Sequence, residues 1–129
     1  MEERKSIPVM IKVKTEVFQE NELREFFIEE EGQIVRIGEV LYIRYNEQLE
    51  GVDEKVSVTM KILADGSVQL IRAGEVRMKL KFDYQKYNET NYETPFGTMW
   101  IKTFTNNIRV SLKDWPYSGQ VIIDYDLFG

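Results

Sequence analysis

Arg72 is the charge in this sequence with the most to explain. It ends an alternating run, Val68-Gln69-Leu70-Ile71-Arg72, in which Val68 and Leu70 share a face. A strand that continues through position 72 turns the guanidinium toward the same apolar side. An arginine buried there needs a carboxylate or an anionic ligand. Its planar fork suits either a carboxylate or a phosphate. The rival placement is at the rim: a three-residue loop Arg72-Ala73-Gly74, with glycine third, takes Arg72 out of the strand. That loop is the expectation here. Arg44 sits in a second constellation with Tyr42, Asn46 and Glu47. Tyr42, Arg44 and Asn46 share one strand face, opposite Leu41, Ile43 and Tyr45. They line the interior with Arg72, or they form the solvent face of an amphipathic strand. Tyr92, Thr94 and Phe96 complete the candidate ligand contacts. Thr94-Pro95-Phe96-Gly97 is a recognition loop at a barrel mouth or a turn chosen for its backbone geometry.

Composition narrows the chemistry. The 129 residues contain no cysteine and no histidine. Disulfides, thiolate nucleophiles, the commonest general base and the commonest metal ligand are all absent. The run Glu20 to Glu31 is acidic but lacks the ligand spacing and glycine turn of a calcium loop, so no metal is expected. No phosphate-binding loop, dinucleotide fingerprint or nucleophile elbow is present, and no cofactor is expected. The net charge of −5 opposes an electrostatic grip on nucleic acid or on an anionic membrane. Arg77, Lys79 and Lys81 make a basic row that reads as a solvated face. No apolar run approaches a membrane span, the N-terminus has no signal-peptide core, and the expected location is cytoplasmic.

These residues must be positioned by strands. Length predicts a single domain over residues 1–129. Val9, Ile11, Val13 and Val17 alternate with Lys12, Lys14 and Glu16, which predicts a half-buried strand. A second strand is expected over Leu23–Ile28, then an acidic turn through Glu29, Glu30, Glu31 and Gly32. Gln33–Asn46 follows with a bulge at Gly38, and Glu50-Gly51 ends it. From Val56 to Phe82 the inward residues are even-numbered. Opposed residues of an antiparallel pair share a face, so paired numbers must sum to an even value. That excludes a two-residue Asp65-Gly66 turn and selects a three-residue loop Ala64-Asp65-Gly66, with Ile62 opposite Val68 and Met60 opposite Leu70. The same rule with Arg72-Ala73-Gly74 sets Leu70 opposite Val76.

Tyr84–Glu93 reads as a short or irregular strand. Asn106-Asn107 predicts a two-residue turn joining Thr98–Thr105 to Ile108–Lys113. That register puts Ile101, Thr103, Val110 and Leu112 inside. Trp100 and Phe104 fall outside, where they form an apolar interaction surface suited to a homodimer; a covered patch is the alternative. Trp115-Pro116-Tyr117-Ser118-Gly119 reads as a further turn, and Val121–Leu127 as the last strand. Gly129 looks like the start of another turn, so the expected barrel lacks its final strand. About eight short strands predict an antiparallel up-and-down β-barrel or a sandwich.

Leu41-Tyr42-Ile43-Arg44-Tyr45-Asn46-Glu47, Ile71-Arg72-Ala73-Gly74 and Tyr92-Glu93-Thr94-Pro95-Phe96-Gly97 together resemble the YwiB-like family of small bacterial proteins, and Gly119–Tyr125 also fits. The resemblance runs from about Val9 to Tyr125. It implies a lipocalin-like (calycin) barrel and no defined function. The functional expectation is therefore a binding barrel for a small apolar or acidic ligand. A filled barrel acting as a dimerisation module is the second reading. An enzyme built on Arg44, Arg72, Glu47 and Tyr92 is the third.

Overall fold

The computed structural model describes residues 6–48, 54–74, 76–114 and 117–128. It is all-β, with nine strands where about eight were expected: β1 (Ile7–Gln19), β2 (Glu22–Ile37), β3 (Val40–Glu47), β4 (Val56–Ile62), β5 (Val68–Ala73), β6 (Arg77–Phe82), β7 (Tyr87–Thr94), β8 (Gly97–Asp114) and β9 (Tyr117–Phe128). Each strand pairs antiparallel with the next in one sheet of order β1 to β9. The sheet curls into a roll with one apolar concave face. Among the described residues no ladder joins β1 to β9, so the roll is an open barrel.

The interior is a set of rows that cross the strands. One row is Leu41, Ile62, Val68 and Phe82; the next is Ile34, Ile43, Met60, Leu70 and Leu80. Ile34, Leu41, Ile62, Val68, Leu80 and Phe82 are buried and form the core. Apolar burial on this scale is the main stabilising term for so β-rich a chain.

The Ala64-Asp65-Gly66 loop has the expected form. Ile62 opposes Val68 and Met60 opposes Leu70. Leu63 and Ser67 close the loop, and Gly66 takes φ 90°, a conformation that penalises a Cβ. Asp65 accepts from the Ser67 amide and hydroxyl at 2.9 and 2.6 Å, which holds its carboxyl below the usual range.

Four local expectations are corrected. Glu29–Gly32 is not a turn: β2 runs unbroken from Glu22 to Ile37. Gly38 is not a bulge, because with Glu39 it forms the turn between β2 and β3. Tyr87–Thr94 is a regular strand paired along its length with β8. Asn106-Asn107 is not a hairpin turn either. Strand β8 runs through it from Gly97 to Asp114, and the register against β9 shifts between Thr105 and Asn107. The extra residue is a β-bulge, which bends a strand and increases its twist. Beyond it, Ile108 and Leu112 of β8 and Val121 and Ile123 of β9 pack against the core. The β8–β9 hairpin thus folds over the open side of the roll. Tyr117, Ser118 and Gly119 belong to β9. Gly119 is required there, since a Cβ would lie 2.0 Å from the Ser111 carbonyl oxygen. Glu50-Gly51, Trp115-Pro116 and Gly129, which were read as turn residues, fall outside the described residues.

Candidate functional site

Arg72 does not lie in a loop. Strand β5 continues through Ala73, and Arg72 is paired with Val58 on one side and Met78 on the other. It keeps the phase of Val68 and Leu70, so it points into the roll. The rim placement failed because the turn is longer than three residues: Leu70 opposes Leu80, not Val76. Both registers satisfy the even sum, so parity alone could not separate them.

Inside, Arg72 Nε donates to Glu47 Oε1 at 2.5 Å. The Glu47 side chain is 3% exposed and that of Arg72 is 23% exposed. Glu47 shares its face with Leu41, Ile43 and Tyr45, so this strand carries its carboxylate on the apolar side. Among the described residues, the Nη groups of Arg72 meet no acceptor, which leaves donors for a further anionic or carbonyl oxygen. Burial pushes the Tyr45 phenol above its ordinary value; the Glu47 charge adds to this and the Arg72 charge opposes it. Tyr125 is raised by burial as well and also feels Arg72. Tyr45 from β3, Glu47, Arg72 and Tyr125 from β9 therefore share one interior field. The arrangement can donate hydrogen bonds and balance charge. It offers no nucleophile, and no group of three or more metal-ligating acidic side chains occurs among the described residues.

A cavity of about 270 Å³ opens beside this cluster. Val9 and Ile11 of β1, Ile34, Ile43, Met60 and Leu70 of the core, and Leu112 and Val121 of the folded-over hairpin line it. Tyr45 reaches it and so touches both the cavity and the charged pair's field. Gly32 keeps the wall thin: a Cβ there would sit 2.3 Å from Ile11 Cδ1 and 2.4 Å from the Arg44 carbonyl oxygen. One buried polar atom stands apart. Thr105 Oγ1 is buried and has no hydrogen-bond partner among the described residues.

The other candidates scatter. Tyr42 and Arg44 face outward, on the opposite side of β3 from Glu47, and cannot join Arg72. Their rings and charges stack on the surface, with Arg44 5.6 Å and Lys61 5.4 Å from the Tyr42 centroid. Tyr92 faces inward in the row of Arg72 and Met78 and packs on Val56 and Val76. Thr94 and Phe96 belong to the β7–β8 turn. Thr94 Oγ1 donates to the Gly97 carbonyl and accepts from the Phe96 amide, while the Phe96 ring is 87% exposed. Trp100 and Phe104 face outward; Trp100 is 70% exposed, and Phe104 is covered in part by Tyr87 at 4.7 Å. Glu47, Tyr45, Tyr125 and Thr105 are the interior polar residues that sequence reasoning did not assign to a site. For Glu47 the signal was present in its odd number, which it shares with Leu41, Ile43 and Tyr45.

The fold and site define an open, lipocalin-like β-barrel with a charged pair inside. The chain belongs to the family described as "Domain of unknown function (DUF1934)", which matches residues 11–129. The ywiB protein from Bacillus subtilis is similar in structure, with a TM-score of 0.87 and 24% sequence identity over 97% of this chain and 85% of that one. The likeness establishes the shared fold. No curated protein matches the chain. No helix among the described residues is long and apolar enough to cross a membrane.

Proposed function

We propose that this protein binds a small, mainly apolar molecule inside the roll, with the ligand's polar end toward Tyr45 and the Glu47–Arg72 pair. The observation that carries this reading is the cavity of about 270 Å³, walled by aliphatic side chains and reached by Tyr45. Ligand sites are typically concave and apolar with a few fixed polar groups. The volume lies just below the range of roughly 300–1,000 Å³ for such sites, so one ring system or a short acyl chain is the right scale. An acid or a carbonyl compound fits best, because the free donors of Arg72 and the protonated Tyr45 phenol both seek an acceptor.

The test is native mass spectrometry of the purified chain, followed by titration with an environment-sensitive apolar probe, anilinonaphthalene sulfonate. A co-purifying small mass, or saturable probe binding at one site, is expected. Leu70→Trp and, separately, Met60→Phe should fill the space and weaken probe binding at least about tenfold, the effect of a lost contact worth roughly 1.4 kcal/mol. Unchanged probe binding in both folded variants would refute the assignment, as would the lack of any saturable site.

A further inference from the structure

The β1–β2 hairpin outruns its neighbours. Lys14–Gln19 pair with Glu22–Phe27, while β3 reaches back only to Gln33 of β2. The hairpin's end is therefore a two-stranded arm without a third strand among the described residues. Such a ribbon is marginal in water by itself. It is apolar on both faces: Val17 and Phe26 on the inward side, and Phe18, Leu23 and Phe27 on the outward side. Phe18 is 72% and Phe27 70% exposed. Exposed apolar surface of this kind marks a contact surface. The arm is also acidic. Glu16, Glu20, Glu22 and Glu25 outnumber Lys14 and Arg24, which are already spent on Glu16 and Glu22 at 3.0 and 3.9 Å.

A surface of opposite character lies on the outward face of β3–β6. Its side chains alternate away from the core, and they include Arg44, Lys61, Arg77, Lys79 and Lys81 with no carboxylate. Tyr42 and Ile71 lie among these cations, half-buried. Lys61 and Lys81 share one cross-strand row through Gln69; Arg44 and Lys79 share the next through Thr59 and Ile71. At about 4.8 Å per strand each row is a compact cationic band. In a chain of net charge −5 this segregation is marked.

We propose that the arm of one copy of this chain docks on the β3–β6 outer face of a second copy. The arm's outward side presents Phe18, Leu23 and Phe27 flanked by Glu16 and Glu25. The receiving face presents Tyr42 and Ile71 flanked by Arg44, Lys61, Lys79 and Lys81. Apolar centre meets apolar centre, and anionic rim meets cationic rim. A two-fold axis gives each arm a face and closes the assembly as a dimer. Arm-on-arm pairing is disfavoured because it sets Glu16 and Glu25 against their own copies. An extended polyanion fits less well, since it offers no apolar cover for the arm and meets the net negative charge of the whole chain.

Sedimentation velocity of the full chain tests this. The wild type should be a dimer that weakens as sodium chloride rises from about 0.05 to about 0.5 M. Lys79→Glu with Lys81→Glu makes the face acidic, and Glu16→Lys with Glu25→Lys makes the arm basic. Each double variant should raise the dimer dissociation constant at least about tenfold. An equimolar mixture of the two should recover a heterodimer within about threefold of wild type, because each altered surface then meets its opposite. A wild type that stays monomeric at low salt overturns the proposal. So does a dimer indifferent to both double variants. A monomer that binds single-stranded oligonucleotide through Lys79 and Lys81 overturns it in favour of a polyanion site.

Discussion

The two ends of the roll are built on the same strands but solve different problems. At one end Leu41, Ile62, Val68 and Phe82 meet in a single cross-strand row, and none of them is more than 8% exposed. At the other end the same strands supply Tyr45 and Glu47 from β3, Val56 and Val58 from β4, and Arg72 from β5. The first end is dry and holds only dispersion contacts. The second buries a charge pair, which adds little net stability because desolvation offsets the Coulomb attraction. A hydrophobic pair would serve a purely structural purpose as well there. The contrast assigns stability to the dry end and leaves the charged end free for selective contacts.

The largest effect should come from the dry end. Phe82 is 1% exposed and packs on Tyr125 at 4.8 Å, so it ties β6 to β9 across the roll. Phe82→Ala should cost about 3–5 kcal/mol in urea unfolding, through lost burial and the cavity left behind. A loss below about 1 kcal/mol would show that the dry end does not carry the fold.

At the charged end, Arg72→Met should cost about 2–4 kcal/mol, because it strands the Glu47 carboxylate in the interior. The figure is set below the full range for buried pairs since Arg72 keeps some solvent contact. The informative result is the partner change. Glu47→Leu with Arg72→Met should return to within about 1 kcal/mol of wild type, as an apolar pair replaces an ionic one. If the double variant is as unstable as the single, the pair is structural and the contrast between the ends collapses.

How much of this was legible in the sequence depends on what parity can decide. The even-numbered inward rows of β4–β6 and the Ala64-Asp65-Gly66 loop were readable because a loop of known length and a glycine at φ 90° fix both register and phase. At Arg72 the same rule fixed the phase but not the loop length, and the register shifted while the sum stayed even. Gly74 takes φ 156° and does not sit in the compact left-handed position that the short loop requires. Asn106-Asn107 shows the limit most clearly. A two-residue turn and a one-residue bulge both switch the inward set from odd to even numbers. Ile101, Thr103, Val110 and Leu112 were therefore placed on the inner side, while the element joining them was misread. Side assignments survive such errors, but strand count and topology do not. The site suffered more, since convergence of Glu47, Arg72 and Tyr125 depends on how the sheet curls, which no local pattern encodes.

The smallest effect concerns an exception within the dry end. Thr105 lies opposite Tyr125, beside the bulge, and its side-chain oxygen is buried without a partner among the described residues. The backbone there is well satisfied: the Thr105 amide donates to the Lys86 carbonyl at 3.2 Å, and its own carbonyl accepts from Gln85 at 2.8 Å. The hydroxyl alone is in question. If it is unpartnered in solution, replacing it with a methyl group removes a desolvation penalty and leaves the shape unchanged. Thr105→Val should then be neutral or stabilise by up to about 1 kcal/mol in urea unfolding. If instead an ordered water or a ligand atom occupies the position, the same change breaks a hydrogen bond and destabilises by about 1 kcal/mol or more. The sign of one measurement thus decides whether the dry end is dry throughout, or whether the polar interior extends from Arg72 through Tyr125 to the bulge that folds β8–β9 over the cavity.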